Sequence, residues 1–388
     1  MANKFDIAII GAGPSGLRAA LTLVEHSDLS TCIIDQNEPG SKVIPCAEGV
    51  FINEFKSVVP VRNEWLRFFV DKAAYHSPDN TTLIYQSRDN HGYIIDRTKM
   101  QKDLSDTIIQ KGITALYQCK TTSISTKDSE GFRTIFIKDH EPIRAKVVID
   151  ASGPLSLIGK DESLDCKPLD LEPALFCYAK GPEISTDTIH IFVGQEIAPG
   201  GYAWAFPRSK NEYNIGLLIG KKYIKKNNIR QLFETFTTTH FKDYFLSKIF
   251  AGPIPCSNKR RKMALPGLIK VGDAASSVNP ISRAGISEAL LGGLLAAETA
   301  ITMVHAKTGQ KQKKAAKTYE QKWWAQKGRR YSKLSRVKLS LAKVPDKDYN
   351  AGAHHLKSIP PDQLIMSKIF SLSLGRFPRL VWALRHLL

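Results

Sequence analysis

The run Phe5-Asp6-Ile7-Ala8-Ile9-Ile10-Gly11-Ala12-Gly13-Pro14-Ser15-Gly16 decides the fold. An apolar strand-like segment enters a turn with three spaced glycines. Leu17, Ala20, Leu21 and Val24 then recur at helical spacing. A second strand-like run, Thr31-Cys32-Ile33-Ile34, ends in Asp35, with Gln36 beside it. Asp35 stands about 20 residues beyond the glycines, where a dinucleotide fingerprint places its ribose-binding acid. Gly11 permits the tight strand-to-helix turn, Gly13 lets backbone approach a pyrophosphate, and Gly16 lets helix and strand pack closely. The helix start at Pro14 and Ser15 brings unpaired N–H groups and the positive end of the dipole to the phosphates. A glycine-rich turn that merely packed helix on sheet would leave Asp35 unexplained.

The chain has 388 residues, enough for two or three domains. Its 43% hydrophobic and 24% charged residues are those of a globular protein. No apolar run reaches the roughly 18 residues of a membrane-spanning helix. Met1-Ala2-Asn3-Lys4 leads straight into a strand, from which we expect no signal peptide and a cytoplasmic protein. Cys32, Cys46, Cys119, Cys166, Cys177 and Cys256 are scattered, without metal-like spacing, which points to a reducing compartment and to no metal site. The net charge is +18. It concentrates at Lys259, Arg260, Arg261 and Lys262, and again from Lys307 to Lys338. No nucleic-acid-binding motif accompanies these charges, so nucleic acid is not an expected partner. The long basic run reads either as a solvated helix face or as attraction to an anionic membrane surface.

The dinucleotide fold is assembled from distant segments. Val147-Val148-Ile149-Asp150 ends in Ala151-Ser152-Gly153, and Gly267-Leu268-Ile269-Lys270-Val271 leads into Gly272-Asp273-Ala274-Ala275. A helix is expected from about Ser282 to Met303. Between these segments lie β-rich runs. Thr188 to Val193 is one, and Gly201 to Pro207 with Glu212 to Leu218 reads as an antiparallel pair. We therefore expect an α/β protein: a Rossmann-like dinucleotide-binding domain built from 1–50, 89–174 and 251–305, an inserted antiparallel β-sheet substrate domain from 51–88 and 175–250, and a basic C-terminal helical region over 306–388. The last stretch, Phe370 to Leu388, alternates aromatic and aliphatic residues with arginine, as in a helix at a lipid interface or one docked on its own protein.

From residue 4 to about 305 the chain resembles the FAD-dependent oxidoreductases of the geranylgeranyl reductase group, relatives of the aromatic hydroxylases and flavin halogenases. Gly11, Gly13, Gly16 and Asp35 are similar to its first FAD-binding unit. Gly92-Tyr93-Ile94-Ile95-Asp96-Arg97 is similar to its GYxxDR segment, which implies that Arg97 lies near the flavin. Asp150-Ala151-Ser152-Gly153 resembles its second dinucleotide element, with Ser152 where aspartate is more usual. Gly272-Asp273 resembles the motif whose aspartate contacts the ribityl chain. Asn279-Pro280-Ile281-Ser282-Arg283-Ala284-Gly285-Ile286 resembles the loop beside the isoalloxazine ring. The resemblance thus implies cofactor contacts at Ala151, Gly153, Gly272, Asp273, Pro280, Gly285 and Ile286. Arg283 either sets a cation near the flavin or points to solvent.

Two segments choose the branch. Pro199-Gly200-Gly201-Tyr202-Ala203-Trp204-Ala205-Phe206-Pro207 matches the PxxYxWxFP pattern of the geranylgeranyl reductases. On a strand Tyr202, Trp204 and Phe206 share one face. That row reads either as an apolar wall for a prenyl chain, flanked by Pro199 and Pro207, or as ordinary sheet core. Cys46-Ala47-Glu48-Gly49 resembles the Cys-Gly-Glu-Gly segment, which implies that Cys46 and Ala47 lie at the flavin; the alternative is a buried, inert cysteine. The implied activity is reduction of isolated C=C bonds of an isoprenoid chain by hydride from reduced FAD plus a proton. Charge would develop with tertiary-carbocation character, and Tyr202 and Trp204 are candidates to stabilise it. Cys46 is a candidate for protonation or for gating flavin motion, with Glu48 and Tyr202 as rival donors. The reductant would be NAD(P)H or ferredoxin, and a monomer fits this reading. Alternatives are an aromatic monooxygenase or halogenase, a quinone-linked electron-transfer flavoprotein, and a non-catalytic flavin- or lipid-binding protein.

Overall fold

Continuous apolar strands set the first layer. Residues 7–10, 31–34 and 147–150 are buried throughout, as strands covered on both faces must be. They form the centre of a largely parallel sheet whose order is Ala264–Leu265, Leu268–Lys270, Ile143–Asp150, Lys4–Ile10, Thr31–Ile34, Thr114–Leu116. In register, Ile10 faces Ile34 on one side and Asp150 on the other, and Asp150 faces Lys270. The four loops that follow these strand ends therefore meet at one edge of the sheet. The computed structural model describes residues 3–86, 91–156, 164, 170–256 and 262–363. The Lys259–Arg261 cluster and the amphipathic stretch from Phe370 to Leu388 lie outside the described residues.

The helix Pro14–His26 crosses this sheet beneath the helix Ile286–Val304. Gly293 allows the two to touch: a Cβ there would stand 2.2 Å from the Ser15 carbonyl oxygen. Ile286–Val304 is long and apolar enough to cross a membrane, yet 78% of its most apolar window is buried inside the protein, as befits a core helix. It starts four residues later than the sequence pattern suggests, because Arg283 takes a left-handed backbone (φ 56°) that ends the preceding loop.

The second layer is a mostly antiparallel sheet in the order Phe245–Leu246, Leu171–Lys180, Glu212–Leu218, Tyr202–Ser209, Thr188–Phe192, Lys72–His76, Thr82–Gln86. Phe250–Pro255 also pairs with Leu171–Lys180. Alternation divides its faces. Ala203, Ala205, Ile215 and Leu217 pack under the helix Ile229–His240 through Phe233 and Phe236. Trp204, Phe176 and Leu218 face the other way, with Tyr202 and Phe206 against them. Leu66–Val70 belongs to neither large sheet. It pairs with Gly92–Ile95, and that strand with Gly49–Phe51, in a three-stranded sheet between the layers.

After Val304 the chain folds back as the helices Gly309–Trp323, Arg329–Leu341 and Asp346–Leu356. Tyr319 donates to the Lys270 carbonyl at 2.8 Å, and Glu320 accepts from the Met263 amide at 2.7 Å, which fastens the first helix to the edge of the parallel sheet. Many cations of the long basic run are exposed, including Lys313, Lys317, Lys333 and Arg336. Lys338 is not. It is buried, and Lys327 is paired with Glu54 at 3.1 Å, so the run is not one uniform solvated face.

On the antiparallel sheet His76 Nε2 lies 3.0 Å from His190 Nδ1, and His76 stacks on Phe192 at 4.3 Å between centroids. Burial, reinforced by His190 and His240, holds the His76 imidazole down at about 4. Between that value and its ordinary 6.5 the unfolded chain binds a proton that the fold excludes, so stability rises with pH across this window. The thermal midpoint should therefore fall on acidification from about pH 6.5 to 4. His76→Phe should flatten the fall, and an undiminished slope in that variant would clear His76 as its cause.

Candidate active site

The strand-end loops open into a cavity of about 580 Å³. One end is the glycine turn: Gly13, Pro14 and Ser15 line it, and nothing lies within 4 Å of a Cβ built on Gly13. The helix start has no side-chain cap. Open space over Gly13 and an uncapped helix N-terminus fit a bound pyrophosphate. Gly11 and Gly16 serve the turn itself, since Cβ atoms there would stand 2.3 Å from the Ala151 oxygen and 1.9 Å from the Gly11 oxygen. Asp35 accepts from the Ala12 amide at 2.7 Å and the Asn37 amide at 2.8 Å, bracing the loop from the second strand; Gln36 is exposed beside it.

Arg97, Ala151, Gly153, Asp273, Gly285 and Ile286 continue the lining. Burial pushes the Asp273 carboxyl up, opposed by Arg97. Gly272 and Pro280 stand behind the lining. Gly272, in the left-handed region (φ 57°), gives way to Ser15, whose Oγ would lie 2.7 Å from a Cβ there.

The cavity continues between the Cys46 loop and the aromatic row. Cys46, Ala47 and Glu48 line one side; Tyr202, Trp204 and Phe206 line the other. Asn214 joins them, donating to the Cys46 carbonyl at 2.7 Å and accepting from Trp204 Nε1 at 3.1 Å. Gly49 lets Phe206 close on the loop, since its Cβ would meet the ring at 2.9 Å. The Glu48 amide donates to Cys46 Sγ at 3.2 Å. Tyr202 donates its hydroxyl proton to the Ser282 carbonyl at 2.6 Å, and burial raises its pKa further. Pro199 and Pro207, expected to bind substrate, do not line the cavity. Pro207 falls on the far face of its strand with Ala203 and Ala205, and the Pro199 carbonyl accepts from the Gly220 amide.

Residues 170–252, which carry this aromatic row, match the family model of the geranylgeranyl reductase catalytic domain, and residues 6–181 match that of the lycopene cyclase protein. Digeranylgeranylglycerophospholipid reductases of Methanosarcina mazei and Methanosphaerula palustris are 28% and 29% identical, each over 100% of this chain and 97% and 98% of the relative. Over its full length the chain is thus similar to these reductases. A geranylgeranyl bacteriochlorophyll reductase-like protein of Thermoplasma acidophilum shares the fold with a TM-score of 0.86, at 22% identity and full coverage of both chains. The halogenase PltM, solved with FAD, shares it more loosely, with a TM-score of 0.68 at 14% identity over 91% of this chain and 79% of that one.

The third wall of the cavity comes from the C-terminal helices, through Lys338, Leu341, Ala342 and Tyr349. Gln195 ties the wall down, donating to the Ala342 and Val344 carbonyls at 3.3 and 3.2 Å. Beneath it lies a buried charge cluster that local sequence signals did not reveal. Glu172, 1% exposed in its side chain, accepts from Arg283 Nε at 2.9 Å and from Lys338 Nζ at 3.0 Å; Lys338 also meets Asp170 at 2.5 Å. Arg283 therefore does not point to solvent. It turns inward, and its guanidinium lies 5.5 Å from the centroid of the Tyr202 ring. Burial alone would lower the pKa of Arg283 and of Lys338, but Glu172 raises both, so both stay charged.

Removing one partner from such a cluster strands a buried charge. Glu172→Gln should cost about 3–5 kcal/mol in urea unfolding, far more than breaking an exposed pair such as Lys102–Asp106. Equal losses in the two variants would show that the cluster holds nothing together.

Proposed function

We propose that this chain is an FAD-dependent oxidoreductase that reduces isolated C=C bonds of an isoprenoid, geranylgeranyl-type chain. The observation that carries the reading is one cavity joining an uncapped, glycine-lined helix start to the aromatic row Tyr202, Trp204 and Phe206. The reductase names of the relatives and the catalytic-domain match over that row support it. Bound, reduced FAD supplies the electron pair as hydride; the protein supplies alignment and exclusion of water.

The residues divide that work. Gly13, Pro14 and Ser15 receive the pyrophosphate, Asp35 faces the ribose, and Arg97 and Asp273 flank the flavin end. Trp204 is the ring suited to a developing tertiary cation. Its indole N–H is held by Asn214, and it lines the cavity. Tyr202 suits that role less well, because Arg283 already lies beside its ring and would repel a second cation. Nor is Tyr202 placed as the acid, with its proton given to Ser282. Cys46 lines the slot opposite Trp204, where its thiol meets the substrate or gates flavin motion. We further propose NAD(P)H or ferredoxin as the reductant. Cytoplasmic localisation with a peripheral membrane contact through the exposed lysines and arginines of the C-terminal helices completes the reading.

Anaerobic incubation of dithionite-reduced holoprotein with geranylgeranyl lipids should give mass gains in steps of two hydrogens. Trp204→Leu should slow the gain by roughly 10- to 30-fold, the worth of one desolvated cation–π contact, while flavin absorbance is retained. Unchanged lipid beside stable reduced flavin would refute the proposal. Oxygen-dependent consumption of reductant with an aromatic substrate would instead favour a monooxygenase.

A further inference from the structure

We propose that Glu48 is the general acid of this site, delivering the proton to the alkene carbon that does not take the hydride. The inference rests on the prenyl-reductase reading and deepens it.

Glu48 lines the cavity yet is buried, and its backbone is left-handed (φ 64°), a conformation that non-glycine residues adopt only where their surroundings enforce it. Two contacts enforce it here. Its amide donates to Cys46 Sγ at 3.2 Å, and its carbonyl accepts from the Ile95 amide at 2.9 Å. The side chain is thereby fixed beside Arg208, whose Nε lies 3.4 Å from Glu48 Oε2. Arg208 is itself held, with its guanidinium 4.1 Å from the centroid of the Tyr178 ring and a 3.1 Å contact to Glu212.

Charged and titratable groups face Glu48 from every neighbouring element. Arg208 and Tyr178 come from the antiparallel sheet, Arg67 from Leu66–Val70, Asp96 from the start of Arg97–Gln110, and Cys46 from its own loop. Burial pushes the carboxyl above its usual range against the pull of Arg208 and Arg67, with Asp96 adding to the push. The protonated carboxyl can give up its proton, and the conjugate base then finds Arg208 waiting. That combination favours proton release at the moment of need.

The step balances. One alkene carbon takes the hydride, with its electron pair, from reduced flavin. The π pair bonds the other carbon to the Glu48 proton as the O–H bond breaks. A saturated bond, oxidised flavin and a Glu48 carboxylate paired with Arg208 remain, and solvent returns the proton. Tyr202, the rival donor, is engaged with Ser282.

The test joins a pH–rate profile of holoprotein on a geranylgeranyl lipid with infrared difference spectra of the protein without substrate. Wild type should lose activity as pH rises through the Glu48 titration and show a neutral carboxyl band that disappears over the same interval. Glu48→Gln should lose that band and the alkaline limb together and turn over about 10²–10⁴-fold more slowly. Glu48→Asp should keep the limb. Arg208→Gln should move both limb and band to higher pH, because loss of the cation disfavours the carboxylate. A structural role would move neither. Retention of the limb or the band in Glu48→Gln, with wild type active, overturns the proposal alone. A wild type inert toward every prenyl lipid overturns the functional reading, and this proposal with it.

Discussion

One buried carboxylate holds the cavity together. Glu172 receives Arg283 and Lys338, and so brings together a strand of the antiparallel sheet, the loop before Ile286–Val304 and a helix near the end of the chain. Each cation would be costly in an apolar interior without this partner. Their joint neutralisation lets a wall of the cavity be built from a segment that follows the dinucleotide fold. The same pairing sets the left-handed turn at Arg283 beside the Tyr202 ring and its hydrogen bond to Ser282. The charge cluster thereby shapes the apolar site while presenting little charge to it.

The site itself follows from two alternating faces on one strand. Tyr202, Trp204 and Phe206 turn to the cavity, while Ala203 and Ala205 leave room for the helix Ile229–His240 behind. Small residues on one side of the sheet and rings on the other give a flat wall on a rigid backing. Asn214, from the neighbouring strand, satisfies the Trp204 indole and at the same time fixes the Cys46 carbonyl. The distance across the slot is therefore set by side-chain hydrogen bonds rather than by loop chance.

Much of this was readable in the chain. The glycine turn, Asp35, Ala151-Ser152-Gly153 and Gly272-Asp273 follow strand ends, and each is legible from local sequence alone. The aromatic row was readable from the period of two. Glu172 was not, because its partners lie 111 and 166 residues away and no local spacing relates them. Lys338 misled in particular. Set in a run of cations it reads as surface, yet its helix turns it inward with Tyr331, Leu334 and Val337. Pro199 and Pro207 misled in the other direction: they flank the motif in sequence, but alternation and a loop carry them off the cavity. The helix expected from Ser282 begins only at Ile286 because Arg283, bound to Glu172, is spent on the turn.

The order of strands in the parallel sheet also bears on how the protein is made. Lys4–Ile10 is flanked by Thr31–Ile34 and by Ile143–Asp150, and the latter by Leu268–Lys270. Its first helix is roofed by a helix that ends at Val304. A nascent chain thus displays its most apolar strands for most of its synthesis, with their neighbours not yet translated. Such distant pairings form slowly and leave sticky intermediates. Maturation of this protein on the ribosome should depend on holdase chaperones far more than its native core would suggest.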